Sequence, residues 1–233
     1  MSMKYTGLLL AGLAVVGFST AAFAEPNLGS VARGGKLYDK WYKVVGVEAP
    51  TESHPLYPAA NEKYAADPGS NWRCKECHGW DGLGAAGAYS SGSHKTGIKG
   101  IDAMAGGDPA KVVELLRGDH LYGDKLTDDQ LTDLANFVVY GQIDWSGYVA
   151  DKKSTGDAAN GQQIFETACI GCHGADGKLP KDMPPLGSLA GNPWEVMHKV
   201  MNGQPDEAMP ALRYFGPQAA ADVVAYIATL PAQ

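Results

Sequence analysis

The chain of 233 residues has only four cysteines, and it has fewer basic than acidic residues. Its 19 lysines and arginines stand against 26 aspartates and glutamates, which gives a formal net charge of −7. An acidic balance argues against nucleic acid and anionic membrane surfaces as partners. It favours partner proteins with a basic docking face, although an acidic surface that only keeps the protein soluble fits equally well.

The sequence also lacks any apolar run beyond residue 24 that could cross a membrane. Its N-terminus carries Lys4, an apolar run over 8–18 and an Ala-Phe-Ala that ends at Ala24. This order is typical of a secretory signal peptide, and the run is well short of the roughly 20 residues of a spanning helix. We therefore expect cleavage near Ala24 and a soluble periplasmic product. Loss of Lys4 leaves 18 basic against 26 acidic residues, a net charge of −8.

All four cysteines belong to two copies of one pattern, Cys-x-x-Cys-His. The copies are Cys74, Cys77 and His78, followed by Cys169, Cys172 and His173. Two thiols at this spacing can add to both vinyl groups of one porphyrin, while the adjacent histidine binds the iron from one face. A four-thiolate zinc site needs no such histidines, and its cysteine pairs usually lie about 15–20 residues apart. The sequence therefore predicts two covalent c-type haems, with His78 and His173 as the proximal iron ligands.

An ungapped internal repeat relates residues 120–138 to residues 209–227. Apolar residues recur at helical spacing in both copies, which predicts two amphipathic helices. Thr127 with Gln130 is a predicted start for the first helix, and Gly216 with Pro217 for the second. The apolar positions are Leu131, Leu134, Ala135 and Val138 in the first copy, and Ala220, Val223, Val224 and Ile227 in the second.

Further matched segments extend the repeat towards the N-terminus. Helices are predicted from Asp108-Pro109 to Gly118 and from Asn192-Pro193 to Gly203. Residues 33–38 resemble residues 160–165, and each predicts a helix ahead of a Cys-x-x-Cys-His pattern. No strand pattern of any length appears, so the predicted fold class is all-α.

The repeat divides the chain into a signal peptide (1–24), a first domain (25–146) and a second domain (147–233). Glycine, serine and lysine mark residues 144–157 as the linker between them. The first half has about 32 additional residues, roughly 41–72, with four prolines among tyrosines and tryptophans. This composition predicts an ordered, irregular segment instead of another helix. We expect it to wrap the haem of its own half.

Together these features resemble a dihaem c-type cytochrome with tandem class I cytochrome c domains, cytochrome c4-like in organisation. In the second half the resemblance rests on Cys169-x-x-Cys172-His173, Pro184-Pro185-Leu186 and Met209-Pro210. It implies that Met209 is the sixth iron ligand of the second haem and that a proline carbonyl, that of Pro185, orients His173. The first half departs from the family by its additional residues and by the absence of a Met-Pro pair.

The sixth ligand of the first haem is predicted from the repeat alone, which places His120 where Met209 stands in the second half. This favours ligation by His78 and His120, although a lone histidine in a polar loop is more often a solvated group. Imidazole stabilises Fe(III) more than a thioether does, so the first haem is expected to have the lower potential. The alternative ligands are Met104, His94 and His54.

The resemblance implies periplasmic electron transfer between redox partner proteins, with no substrate chemistry of its own. One alternative is a haem-bearing subunit of a larger periplasmic oxidoreductase. Another is a catalytic dihaem cytochrome that acts on a small substrate. A thiosulfate-oxidising enzyme of that kind would need a further cysteine on iron, and none remains in this sequence.

Overall fold

The structure is a computed structural model that describes residues 27–233, so the predicted signal peptide and its cleavage point at Ala24 lie outside the described residues. It is 51% helix and 3% strand, which confirms the all-α fold class. No helix within residues 27–233 is long and apolar enough to cross a bilayer.

The helices follow one another with short irregular connections. In chain order they are α1 (Leu28–Val45), α2 (Glu62–Ala65), α3 (Pro68–Asn71), α4 (Cys74–His78), α5 (Pro109–Arg117), α6 (Asp128–Tyr140), α7 (Ala158–Ala168), α8 (Ile170–His173), α9 (Leu186–Leu189), α10 (Pro193–Asn202) and α11 (Gly216–Ile227). Turns of 3₁₀ helix occupy Ala88–Ser90, Asp102–Met104, Trp145–Gly147 and Arg213–Phe215. Two antiparallel strands, β1 (Val149–Ala150) and β2 (Lys153–Ser154), form a small ladder.

Capping residues set the helix ends largely where the sequence predicts them. Asp108 caps α5, and Thr127 forms a complete capping box with Gln130 at the start of α6. The helix α10 lies between Asn192 and Gly203, as predicted. Two starts differ. Capped by the side chain of Asn27, α1 begins at Leu28, five residues ahead of the repeat match, and α11 includes Gly216 as its first residue.

The first helix crosses the last helix in the same way in each half of the chain. A Cβ atom on Gly34 in α1 would collide with the carbonyl of Asp133 in α6. A Cβ atom on Gly161 in α7 would likewise collide with the carbonyl of Asp222 in α11. Only glycine therefore permits these backbones to approach so closely.

One aromatic pair lies beside each crossing. The rings of Tyr38 and Phe137 have centroids 5.0 Å apart in the first half, and those of Phe165 and Tyr226 are 5.3 Å apart in the second. Both separations are within the range in which tilted aromatic pairs attract. The internal repeat of the sequence is thus also a repeat of helix packing.

Two hydrophobic clusters fill the interior. The first lies between α1, α5 and α6, and the second between α7, α10 and α11. All eight apolar repeat positions are buried, which confirms the predicted inner faces of α6 and α11: Leu131, Leu134, Ala135, Val138, Ala220, Val223, Val224 and Ile227.

The additional segment of the first half is irregular apart from α2 and α3. Its side chains are nevertheless tied to backbone groups: the indole N–H of Trp72 donates to the carbonyl of Glu52 (2.7 Å), and that of Trp41 donates to the carbonyl of Trp72 (3.1 Å). Trp41 itself belongs to α1, which continues to Val45.

The predicted linker, residues 144–157, is a packed connection that contains β1 and β2. The indole N–H of Trp145 donates to the carbonyl of Asp81 (3.0 Å), and the Ser154 hydroxyl donates to the carbonyl of Ala221 (2.6 Å). The linker therefore contacts both halves. Direct contact between the halves comes from α10, where His198 Nε2 donates to the carbonyl of Gly35 in α1 (2.9 Å).

Candidate haem sites

The first Cys-x-x-Cys-His pattern forms the single-turn helix α4, which places Cys74 and Cys77 one turn apart. Burial raises the pKa of each thiol to about 12. Redox exchange requires the thiolate, which is scarce at neutral pH when the pKa is so high. The surroundings of the pair thus disfavour the redox alternative, whereas a thioether link carries no charge and fits them.

His78, the last residue of α4, is held by a backbone carbonyl. Its Nδ1 donates to the carbonyl of Lys99 (2.7 Å), and burial lowers its pKa. The Nε2 atom has no hydrogen-bond partner among residues 27–233. A neutral imidazole whose N–H is tied to a carbonyl presents its other nitrogen in the form that a metal ion needs.

His120 faces His78 across a gap that suits a metal ion. The two ring centroids are 6.2 Å apart, with the planes tilted by 37°. Imidazole nitrogens bind transition-metal ions at about 2 Å, so two rings on opposite faces of one ion require centroids about 6 Å apart. His120 Nδ1 donates to the carbonyl of Leu115 (3.2 Å), which leaves its Nε2 available as well. The residues of the first half therefore fit an iron held by two histidines.

The other candidate ligands of the first haem are placed less suitably. His94 is stacked between Tyr64 and Tyr89, with Nδ1 bonded to Glu76 (2.7 Å) and Nε2 bonded to Tyr64 (3.2 Å). Both of its ring nitrogens are occupied. Met104 lies on a 3₁₀ turn with 38% of its surface exposed.

His54 is also fully engaged. Its Nε2 donates to the carbonyl of His120 (3.2 Å), and its Nδ1 accepts from the backbone N–H of Leu56 (3.1 Å). Of the three histidine candidates, His120 is the one whose ring lies opposite that of His78.

The second pattern spans the end of α7 and the whole of α8. Cys169 is the C-cap of α7, Cys172 is exposed, and His173 ends α8. His173 Nδ1 donates to the carbonyl of Leu179 (3.3 Å). The assignment of the orienting carbonyl to Pro185 is therefore wrong.

The turn after α8 explains why Leu179, and not Pro185, reaches His173. Residues 174–179 fold back tightly on α8, and the backbone N–H of Leu179 also bonds to the carbonyl of His173 (3.0 Å). Pro185 instead caps α9, where its carbonyl accepts from the N–H and the hydroxyl of Ser188 (2.9 and 2.7 Å). The turn thus brings the carbonyl of Leu179, and not that of Pro185, to the imidazole of His173.

The methionines of the second half divide into two groups. Met197 and Met201 are buried in the second hydrophobic cluster, at 0% and 2% exposure, so they serve as packing. Met209 and Met183 are half-buried and pack against the same cluster, as does Cys169. Two methionines therefore remain as candidates for the second motif, of which Met209 holds the repeat position.

Several residues around the first motif carry roles that sequence patterns do not reveal. Glu76, between the two cysteines, is fully buried, and its carboxylate binds Lys75 and His94 at 2.7 Å each. Burial opposes its ionisation, yet the bonds from His94 and Lys75 still lower its pKa. The carbonyls of Lys99 and Leu179 accept from His78 and His173, the histidines of the two motifs. No side-chain signal could have identified these positions, because the backbone makes the contact.

A buried ion cluster links the halves close to the first motif. The Asp39 carboxylate, 1% exposed, binds Arg73 and also Lys199 of α10 (2.8 Å). Burial opposes its ionisation, but the charges of Lys199 and Arg73 prevail and lower its pKa to about 2. Asp39 is therefore ionised under all ordinary conditions and joins α1 to α10.

Comparisons with known proteins bear on the second half. Residues 156–227 match the family model for cytochrome c oxidase, cbb3-type, subunit III. No curated protein matches the chain.

Two solved structures are weakly similar. One is a reducing HAO-like protein complex of Kuenenia stuttgartiensis, with 13% identity over 78% of this chain and 98% of that one, at a TM-score of 0.31. The other is a thiosulfate dehydrogenase from Marichromatium purpuratum, with 18% identity over 92% of this chain and a TM-score of 0.24. This chain spans about half of that protein, 49% of its length. Likenesses at these TM-scores carry no weight for the function of this chain.

The family match covers α7 to α11, the part that holds Cys169, Cys172, His173 and Met209. A cytochrome c domain implies covalently bound haem c with its iron. Residues 156–227 are therefore similar to a c-type cytochrome domain, which supports electron transfer by a c-type haem.

Proposed function

We propose that the chain is a dihaem electron-transfer protein that carries one covalent haem on each Cys-x-x-Cys-His motif. Cys74 and Cys77 would hold the first haem, and Cys169 and Cys172 the second. The observation that carries the proposal is the pair of facing imidazoles, His78 and His120, at a centroid separation of 6.2 Å. This pair lies in the half that the family match does not cover.

The repeated helix packing supports the division into domains 25–146 and 147–233. Each half has a glycine crossing between its first and last helices and an aromatic pair beside it. A packing arrangement built twice around two identical motifs is what two tandem haem domains require.

Bound haem supplies the one-electron chemistry, and the protein supplies ligands, orientation and surroundings. The carbonyls of Lys99 and Leu179 hold the proximal imidazoles through Nδ1. His120 would hold the iron of the first site together with His78, and Met209 would hold that of the second together with His173. Because a thioether favours Fe(II) more than imidazole does, the first site would have the lower potential.

The chain acts as an exported carrier on the outer side of the inner membrane, with residues 1–24 removed. Its partners are redox proteins with a basic docking face, since the mature chain has a net charge of −8. The rate of reaction with a basic partner should then fall as salt screens the charge. A rate that is independent of ionic strength would contradict the docking argument.

A second candidate is the electron-transfer subunit of a larger oxidoreductase. The observation in its favour is the matched family, which is described as an oxidase subunit. Affinity capture from periplasmic extract followed by gel filtration distinguishes the two functions. A stoichiometric partner that co-elutes supports the subunit, and a chain that elutes alone supports the free carrier.

The proposal is tested on protein made with haem-attachment machinery. Intact mass should show two haem increments and an N-terminus near Glu25. A redox titration with EPR and near-infrared spectra should show one two-histidine haem of low potential and one sulfur-ligated haem of high potential. Met209→His should remove the sulfur-to-iron band and lower the higher potential, and His120→Met should raise the lower one. A single haem, or zinc in place of haem, would refute the proposal.

A further inference from the structure

His54 is a buried histidine of the additional segment whose two ring nitrogens are both assigned. It is 6% exposed. Nδ1 accepts from the N–H of Leu56 (3.1 Å), so the ring proton is on Nε2. This Nε2–H donates to the backbone carbonyl of His120 (3.2 Å). His54 therefore contacts the proposed sixth ligand through the backbone.

The His120 carbonyl that accepts this hydrogen bond belongs to the peptide between His120 and Leu121, and Leu121 has an unfavourable backbone conformation. Leu121, which follows His120, has φ = 60°, in the left-handed region that a branched apolar side chain rarely occupies. Leu121 is 44% exposed, so burial of its side chain does not account for the conformation. Such a residue persists only where its surroundings hold it in place, and conformations of this kind concentrate at functional sites.

The additional segment is built to keep His54 in position. The backbone N–H of His54 donates to Asn71 Oδ1 (2.9 Å), and the imidazole lies edge-on to the Trp72 ring at 4.2 Å. The Tyr122 hydroxyl donates to the Trp72 carbonyl (2.7 Å), two residues beyond His120. Both ends of the ligand turn are thus fixed to the same segment.

We propose that the additional segment is a clamp on the sixth ligand of the first haem, in which His54 is the positioning residue that fixes His120 through its carbonyl. This inference rests on the proposed ligation by His78 and His120. The second half has no matching segment, and its haem serves as an internal control. The role assigned to His54 is that of a support for the ligand, distinct from a ligand itself.

Removal of the Nε2–H leaves the His120 carbonyl without its donor and loosens the turn. His120 should then spend more time away from its ligating position, which opens the first site to added ligands. One neutral hydrogen bond corresponds to about a tenfold change in such an equilibrium. The expected result is an increase of about tenfold in the rate at which the first haem of reduced protein binds carbon monoxide.

The matched variants are His54→Phe, which keeps the ring against Trp72 but has no donor, and His54→Gln, whose amide N–H can replace Nε2–H. Holoprotein of each is compared with wild type and His120→Ala by carbon monoxide binding and by EPR of the oxidised form. Faster binding in His54→Phe, with near-normal binding in His54→Gln and an unchanged second haem, supports the clamp.

Three results would overturn it. Unchanged carbon monoxide binding and EPR in His54→Phe would show that the hydrogen bond does not restrain the ligand. Loss of the two-histidine signal in His54→Phe but not in His120→Ala would make His54 the ligand. If neither His54→Phe nor His120→Ala changes the first haem, the proposed His120 ligation has failed, and the clamp with it. Intact mass and helical content measured on each variant separate these results from misfolding.

Discussion

A buried histidine between the halves should make their packing sensitive to mild acid. His198 of α10 is 3% exposed, and its Nε2–H donates to the carbonyl of Gly35 (2.9 Å). Its ring lies among those of Trp80, Phe137 and Tyr38, at centroid distances of 5.1, 5.4 and 5.8 Å. Water does not reach the imidazole, so the charged form is disfavoured in the folded protein.

The size of the effect follows from the pKa. Burial lowers the pKa of His198 from 6.5 to about 4; Asp39 and the Gly35 carbonyl oppose the shift, and Lys199 and Arg213 assist it. Between these values the unfolded chain binds a proton that the folded chain does not, so the free energy of unfolding falls as the pH falls. At about 1.4 kcal/mol per pH unit, the loss amounts to about 2 kcal/mol at pH 5 and about 3 kcal/mol at pH 4.

The assay is guanidinium unfolding of holoprotein at pH 7.5 and pH 5, with His198→Gln as the matched variant. Glutamine keeps an N–H for the Gly35 carbonyl but cannot take a proton in this range. All other titrating groups are shared, so the wild type should lose about 2 kcal/mol more than the variant between the two pH values. Equal losses would refute the assignment of His198 as a buried neutral imidazole.

Three further predictions concern packing, charge and haem attachment. Gly34→Ala forces a Cβ atom into the Asp133 carbonyl and should lower the free energy of unfolding by about 1–3 kcal/mol, measured by thermal or denaturant unfolding. As the control, Gly191→Ala should leave this free energy nearly unchanged, because a Cβ atom there meets nothing within 4 Å. Asp39→Asn leaves Arg73 and Lys199 without their shared carboxylate and should cost about 3 kcal/mol by the same measurement; a cost below about 0.5 kcal/mol would contradict the buried ion cluster. Replacement of Cys74 and Cys77 together by serine should remove one haem increment from the intact mass, and retention of both would contradict attachment at this motif.

Helix ends and inner faces could be predicted from the sequence because their causes are local. Asp108 and Thr127 begin α5 and α6 since each side-chain oxygen accepts from a backbone N–H two or three residues on. The apolar spacing of α6 and α11 likewise fixes which residues are buried. Such features require only neighbours along the chain.

Features that depend on distant backbone could not be predicted. Nothing in the side chains of Lys99 or Leu179 indicates that their carbonyls accept from His78 and His173. His198 also carries no sequence signal, because its partner in α1 is 163 positions away. The family resemblance favoured Pro185 for the orienting carbonyl, and the tight turn after α8 reassigns this role to Leu179. The fold was therefore more predictable than the detailed surroundings of either Cys-x-x-Cys-His motif.

The two halves restrain the equivalent turns at His120 and Met209 by different means. In the second half Met209 is followed by Pro210, whose ring fixes the backbone φ covalently near −65°. In the first half His120 is followed by Leu121, whose φ of 60° no covalent constraint maintains. The restraint must then come from other parts of the chain, and the hydrogen bond from His54 reaches the turn at this point. A hydrogen bond from the additional segment thus reaches the turn at which the first half lacks the proline of the repeat.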